Sequence, residues 1–185
     1  MTSTPPWWVA GGWALDLWME RQTRPHQDVD VAILRADQQK LYTSLRRWEL
    51  YYATLDHRLL PLGPDQWLQP PIHGVWARRA HDAPWLCEFL LNEHDSAEWM
   101  YREDPAVRMP LADIGTIASG NIPILVPEIV LLYKAHERTE KDEADLRAAL
   151  PRLSPHSKSW LLRALNESTP NHPWITHLPS EGPSY

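Results

Sequence analysis

The apolar positions in the first third of the chain change spacing from one segment to the next. Residues 7–10 form a short apolar run that predicts a buried strand ending at Gly11-Gly12. Residues 13–21 have the period of an amphipathic helix, and residues 28–34, rich in Val and Ile, predict a second strand. Asp37 is a candidate N-cap for a helix that runs to about Arg47. This part of the chain therefore predicts alternating strands and helices.

The middle of the chain has the shorter spacing typical of strands. Residues 49–80 predict two or three short strands, with turns at Gly63-Pro64 and Pro70-Pro71. Residues 85–91 form an almost continuous apolar run interrupted by one charge, Glu88, and predict a buried strand. Short strands and loops are expected over residues 104–123, where prolines and glycines recur.

The last third of the chain predicts helices. Pro127 suits the first turn of a helix that continues from Glu128 to about Arg138. A second helix is expected over residues 140–150, and Ser154-Pro155 opens a third that runs to about Asn166. The order of elements predicts an α/β domain over residues 1–124, a helical subdomain over 125–170 and a loose tail over 171–185.

Composition and charge narrow the classes of protein. The 185 residues are 43% apolar and 23% charged, which is typical of a globular protein. The single cysteine excludes an internal disulfide, and no apolar run reaches the ~20 residues of a membrane span. The first six residues lack the pattern of a signal peptide, so a cytoplasmic protein is expected. A formal charge of −6 argues against nucleic-acid binding and is compatible with a cationic substrate.

Two aspartates and two glycines form the strongest local motif. Asp28 and Asp30 lie two apart at the start of a predicted strand, so both carboxylates should point to one face. Such a pair normally implies a cation, and oxygen ligands favour Mg²⁺. Gly11-Gly12 precedes a helix, whose first N–H groups can bind a phosphate. From spacing alone, a tight turn followed by a solvated strand end is an equally good interpretation.

A longer stretch around this motif resembles a known superfamily. Residues 9–16, with Gly-Gly-Trp-Ala-x-Asp, are followed by Arg-x-Thr-Arg-x-His and Asp-x-Asp within residues 21–31. They resemble the signature of nucleotidyltransferases with a DNA-polymerase-β-like fold, in particular the aminoglycoside 2″-adenylyltransferases and lincosamide nucleotidyltransferases. A second block, residues 127–134 and 141–145, is similar to the C-terminal helices of relatives. The resemblance implies an α+β fold with a mixed, mostly antiparallel sheet flanked by helices and a small C-terminal helical part.

The resemblance also implies roles for individual residues. Asp28 and Asp30 would hold metal and carry catalysis, with a third carboxylate on a neighbouring strand. Glu88 is the natural candidate, although aspartate is commoner there, and it could bind metal, act as a base, or both. A strand register that turns Glu88 to solvent is the alternative. The residues implied in nucleotide binding are Gly11, Gly12, Trp13, Arg24, His26, Lys134 and Lys141.

The implied reaction is Mg²⁺-dependent transfer of a nucleoside monophosphate, AMP from ATP or a counterpart from another nucleoside triphosphate. One or two Mg²⁺ ions are expected. The acceptor would be a small, hydroxylated and cationic molecule such as an aminoglycoside or lincosamide antibiotic, with Asp56, Glu103 and Asp104 as candidate acids on its side. Neither nucleic acid nor membrane is an expected partner, and a homodimer is left open. The alternatives are a toxin–antitoxin nucleotidyltransferase that modifies a protein and a non-catalytic nucleotide-binding module.

Overall fold

The fold is organised around one mixed β-sheet. A computed structural model describes residues 7–179 of the chain. The strands are β1 (Trp7–Val9), β2 (Val29–Leu34), β3 (Glu49–Ala53), β4 (Leu59–Pro61), β5 (Gly74–Arg78), β6 (Cys87–Asp95), β7 (Glu98–Met100), β8 (Arg108–Pro110), β9 (Gly115–Ala118) and β10 (Ile122–Leu125). The helices are α1 (Gly11–Met19), α2 (Gln39–Ser44), α3 (Pro127–Glu137), α4 (Glu140–Ala149) and α5 (Pro155–Ser168).

The order of strands explains how distant segments meet. The main path runs β4-β3-β5-β6-β2-β1-β10-β9, and β7 pairs with β6 and β8. Only β2 with β6 and β1 with β10 pair in parallel in the described part of the chain, and the other pairs are antiparallel. The α+β architecture with a mixed, mostly antiparallel sheet is therefore confirmed.

Each face of the sheet packs against a separate set of apolar residues. On one face, named here the helix face, Trp8 and Ala32 pack with Leu15 of α1 and Leu131 of α3 in the main core. On the opposite face, Ile33 and its neighbours pack against α2 in a smaller core. Buried residues before and after position 124 belong to the same main core. The domain boundary near residue 124 remains a prediction.

Several element boundaries differ from the expected ones. Helix α2 is short because a 3-10 turn, Arg35–Asp37, precedes it and Gln38 occupies the N-cap position. Strand β6 continues past the apolar run to Asp95, since its polar second half pairs with β7. Three strands occupy residues 49–80, within the predicted two or three.

The expectation of a loose tail from residue 171 needs correction. A 3-10 turn, Pro173–His177, brings Trp174 into the main core, where its side chain is 0% exposed. The Trp174 indole N–H donates to Glu143 Oε1 at 3.1 Å. The apolar signal of Trp174, Ile175 and Leu178 between two prolines was too short to predict this packing. Pro5-Pro6 and the end of the predicted tail, residues 180–185, lie outside the described residues.

Among residues 7–179, every helix is too short or too polar to cross a bilayer.

Replacing Trp174 by alanine should lower the free energy of unfolding by about 3–5 kcal/mol, the usual cost of emptying a buried aromatic site. Urea unfolding followed by far-UV circular dichroism measures this. Trp7→Ala is the matched control, because Trp7 is 40% exposed and loses far less packing. Equal midpoints for the two variants would show that the C-terminal turn does not stabilise the fold.

Candidate active site

Asp30 and Glu88 lie side by side at the centre of the sheet. They are direct partners in the parallel register of β2 and β6, whose strands are about 4.8 Å apart. Both side chains point to the helix face and line one cavity of about 190 Å³. Glu88 is therefore turned toward Asp30, and the alternative register that faces it to solvent is excluded.

Two glycines make room for these carboxylates. Gly11 has a φ of +57° at the start of α1, and a Cβ there would collide with the Asp30 carboxylate. A Cβ on Gly74, in β5, would lie 2.5 Å from Glu88 Oε1. Side chains at either position would displace an acid from the cavity. Glycine at position 11 therefore serves two purposes: it permits the positive φ of the turn, and it leaves space for the Asp30 carboxylate.

Asp28 lies just outside the strand that carries Asp30. It lies one residue before β2 begins and is half-buried. Asp30 and Glu88 are among the described residues that line the cavity, and Asp28 is not. Its negative charge nevertheless acts on both, because it raises the pKa of Asp30 and of Glu88. That the Asp28 and Asp30 carboxylates share one face remains a prediction.

Burial and mutual repulsion make the charged forms of this pair unfavourable. Desolvation is the main cause, and the Asp28 charge the next, of an Asp30 pKa raised to about 6. Desolvation, followed by the Asp30 and Asp28 charges, raises the pKa of Glu88 to about 7. Carboxyls with such raised pKa values are typical of sites that bind a cation or exchange a proton.

The chemistry of these donors fits Mg²⁺. Asp28, Asp30 and Glu88 offer only carboxylate oxygens, the ligand type that hard divalent cations prefer. A bound cation would also relieve the repulsion that raises the pKa of Asp30 and of Glu88. Within residues 7–179, no three His, Cys, Asp or Glu side chains are already gathered closely enough to hold a metal ion. Metal binding by the three acids accordingly remains a proposal.

The loop before β2 is held against the start of α1. The Asp16 carboxylate accepts hydrogen bonds from Thr23 N–H at 3.1 Å and from Thr23 Oγ1 at 2.5 Å, and its other oxygen lies 2.6 Å from His26 Nε2. The His26 ring packs on Trp13 with centroids 4.6 Å apart. A Cβ on Gly12 would collide with His26 and Arg24. His26 is thus oriented by Asp16, and its charge lowers the pKa of Asp30.

Arg24 and Lys134 meet on one buried carboxylate. Arg24 donates through Nε and Nη2 to the two oxygens of Asp145, both at 2.9 Å. Lys134 Nζ lies 2.8 Å from the same carboxylate and donates to Asp142 at 2.9 Å. Both cations lower the pKa of Asp30. The network places two positive charges beside the cavity and joins the loop, α3 and α4.

The two lysines of the C-terminal block have different surroundings. Lys134 lines the cavity, whereas Lys141 is exposed on α4 and is not among the described lining residues. They do not share one helix, because Thr139 caps α4 with a reciprocal hydrogen-bonding pair to Asp142. The two helices expected on either side of residue 139 are therefore confirmed, and Lys141 lies on the second of them.

Four residues of the cavity wall were not found from the sequence. Asn92 Oδ1 accepts hydrogen bonds from Tyr133 Oη at 2.9 Å and from Trp99 Nε1 at 3.0 Å. The Arg102 guanidinium lies 4.7 Å from the centre of the Tyr133 ring. The four residues that line the cavity are Asn92, Arg102, Tyr133 and Glu137. Tyr133 adjoins Lys134 in the chain, but the other three carry no sequence pattern that would single them out.

The candidate acids for the acceptor occupy separate places. Asp56 is exposed in the β3–β4 turn, where it pairs with Arg58 at 2.7 Å. Asp104 accepts from the Ala106 N–H at 3.0 Å within its own turn. Glu103 contacts Arg102 of the cavity wall at 3.0 Å. Of the three, Glu103 is tied to the site by a contact, and a role in acceptor binding remains a prediction for all.

A larger cavity lies away from these groups. It measures about 830 Å³ and lies between the β8 region and α5, with Glu128, His156 and Trp160 in its wall. It contains none of the predicted site residues. Cavity size alone would thus have pointed away from the acidic pair.

Comparison with known proteins identifies a similar family sequence and similar folds. A sequence profile of the aminoglycoside-2″-adenylyltransferase family matches residues 2–60. No curated protein sequence matches the chain significantly. Among solved structures, the solution structure of the antibiotic-resistance factor ANT(2″)-Ia superposes with a TM-score of 0.58 at 18% identity, over 88% of this chain and 82% of that one.

Two complexes are similar as well. The crystal structure of ANT(2″)-Ia with adenylyl-2″-tobramycin has a TM-score of 0.55 at 17% identity and covers 88% of each chain. The lincomycin-bound lincosamide adenylyltransferase LnuA has a TM-score of 0.50 at 18% identity, over 77% of this chain and 84% of that one. The chain thus has the nucleotidyltransferase fold of these proteins, and its first third resembles the aminoglycoside-2″-adenylyltransferase family.

Proposed function

We propose that the protein is a Mg²⁺-dependent nucleotidyltransferase that moves AMP from ATP to a hydroxyl group of a small antibiotic-like acceptor. The observation that carries the proposal is the pair of half-buried carboxylates, Asp30 and Glu88, beside a glycine-started helix and two cations. The fold shared with ANT(2″)-Ia and LnuA supports the class of acceptor.

The proposed reaction is an in-line displacement. The acceptor oxygen forms a bond to the α-phosphorus as the bond to the bridging oxygen of the β-phosphate breaks, and pyrophosphate leaves. Glu88 takes the proton of the acceptor hydroxyl on its carboxylate. The pKa of Glu88, raised to about 7 in the metal-free protein, falls when a cation offsets the neighbouring charges, so its carboxylate is ionised and able to accept the proton at neutral pH.

Cations and backbone of this chain would bind the triphosphate. Lys134 lines the cavity, and its ion pairs with Asp142 and Asp145 hold the ammonium there. Arg24 lies over Gly12, at the start of α1, where helix N–H groups attract phosphate. Asp28, Asp30 and Glu88 would hold Mg²⁺, which when bound supplies charge stabilisation for the displacement at phosphorus.

The direct test is pyrophosphate release with each of the four nucleoside triphosphates and a panel of aminoglycosides and lincosamides. Release that requires one triphosphate, one acceptor and Mg²⁺ is the expected result. Mass spectrometry of the acceptor then identifies the added nucleoside monophosphate. An absence of release across the panel would contradict the proposed acceptor class, and nucleotidylation of a protein instead would favour the toxin–antitoxin alternative.

Asp30→Asn should abolish nearly all transfer and leave the fold intact, because it removes a ligand charge at almost constant volume. Turnover and far-UV circular dichroism measure the two effects. Asp95→Asn, on the exposed end of β6, is the control for losing an aspartate charge. A folded Asp30→Asn protein with full activity would refute the assignment of Asp30.

Glu88→Gln should lower turnover by about 10²- to 10⁴-fold if Glu88 is the base, with nucleotide affinity retained. If Glu88 chiefly binds metal, the Mg²⁺ requirement should rise and added metal should restore part of the rate. Turnover and nucleotide affinity are measured against Mg²⁺ concentration, with Glu98→Gln as the exposed control. A Glu88→Gln protein that behaves as wild type would remove Glu88 from the mechanism.

The metal-free protein should lose stability as pH rises from about 4 to 7. The folded-state pKa of Asp30, about 6, and of Glu88, about 7, exceed their ordinary values, so their stabilising contribution is present at low pH and disappears as they ionise. At pH 8, Asp30→Asn should be about 2–3 kcal/mol more stable than wild type.

Urea unfolding between pH 4.5 and 8 measures this difference, with Asp95→Asn as control. Millimolar Mg²⁺ at pH 8 should raise the melting temperature of wild type more than that of Asp30→Asn. Equal pH profiles for wild type and Asp30→Asn would contradict the raised pKa of Asp30.

A further inference from the structure

Three aromatic side chains lie on the helix face beyond the part that the helices cover. Tyr51 is in β3, Trp76 in β5, and Trp85 in the segment before β6. All three are half-buried, and they belong to neither described hydrophobic core. We call them the aromatic patch.

The sheet register places the aromatic patch next to the acids. Tyr51 is the partner of Trp76, and Trp76 is the partner of Glu88 in antiparallel pairing. Glu88 in turn is the partner of Asp30. Directly opposed residues have Cβ atoms about 4.5–5.5 Å apart and share one face. One row across four strands therefore runs from Tyr51 through Trp76 and Glu88 to Asp30.

Contacts among the rings fix their orientation. Trp85 meets Tyr51 edge-on at 5.3 Å and Trp76 at 6.1 Å between ring centres. The Arg78 guanidinium lies 4.5 Å from the Trp85 ring and 5.1 Å from the Tyr51 ring. Arg78 is itself held by Glu49 at 3.0 Å, which balances its charge. The patch is a pre-arranged surface, closed by Arg78 on one side and bordered by Glu88 on the other.

The cavity beside the acids is too small to hold the acceptor together with a nucleotide, so the acceptor is expected on the aromatic patch. Its volume of about 190 Å³ is below the roughly 300–1,000 Å³ of sites that enclose one small ligand. A nucleotide and an acceptor cannot both fit inside it. The triphosphate-binding groups, Gly11 and Lys134, line the cavity itself. On the β5 side of Glu88, the neighbouring surface is Trp76.

We propose that Trp76, supported by Trp85 and Tyr51, is the platform on which the acceptor's ring stacks. This inference rests on the proposed nucleotidyl transfer. The acceptor is a saturated, polyhydroxylated ring with amino groups, whose C–H face packs on the Trp76 indole. Its reactive hydroxyl faces Glu88, since Trp76 and Glu88 are direct partners in the sheet register. Trp76 is thus a specificity-determining residue that positions the hydroxyl beside Glu88.

The test compares Trp76→Ala and Trp76→Phe with wild type, using tobramycin and lincomycin as acceptors. Trp76→Ala should raise the acceptor KM by about 10- to 100-fold, while the KM for ATP changes less than about twofold. Trp76→Phe should recover most of the loss, because it restores a ring. Trp7→Ala is the matched control, because Trp7 is an exposed tryptophan in the same sheet. Its strand partner, Ile33, belongs to the core of the opposite face, so Trp7 is not part of the aromatic patch. Unchanged acceptor KM in a folded Trp76→Ala protein would overturn the platform.

A second measurement separates this inference from the proposed function. The indole N–H signal of Trp76, assigned by its loss in Trp76→Phe, is followed by ¹H–¹⁵N NMR during titration with each acceptor. A shift that saturates supports the platform even if turnover is undetectable, in which case the reaction alone is wrong. Turnover with no shift of the Trp76 signal leaves the nucleotidyltransferase standing and overturns the platform.

Discussion

The repulsion between two half-buried carboxylates is the constraint around which the centre of this structure is built. Parallel pairing of β2 with β6 places Asp30 and Glu88 side by side, away from most solvent. Burying such charges is costly unless other groups compensate. Gly11 and Gly74 give the carboxylates space, and cations of the loop and of α3 offset part of their charge. A fold selected for stability alone would place apolar residues here.

Compensation for this charge comes from segments far apart in the chain. Asp145 binds Arg24 from the loop before β2 and Lys134 from α3, so residues more than a hundred positions apart share one carboxylate. Asp16 performs a similar task locally by holding Thr23 and His26. The site thus depends on the helical part of the chain as much as on the sheet.

Patterns that are local in sequence were predictable, and contacts between distant segments were not. The alternation of strand and helix, the N-terminal position of Pro127 and the single charge of Glu88 in an apolar run all identify their elements correctly. Arg102 and Asn92 entered the cavity wall only through the pairing of β6 with β7 and the course of the following loop. Trp174 is buried because α4 and the main core offer it a place, which two flanking prolines did not indicate.

The capping pair at Thr139 has a consequence for motion. Helix α3 ends at Arg138 in the left-handed conformation, and the capping pair starts α4 in a direction that lets Asp142 and Asp145 reach Lys134. The ion pairs formed there tie α4 to α3 and to the loop before β2, and breaking a buried pair costs about 3–5 kcal/mol. A hinge motion that moves α4 away from α3 and the loop before β2 would therefore be rare. Substrates should reach the acids across the part of the helix face that the helices leave uncovered, with the helices acting as a fixed wall.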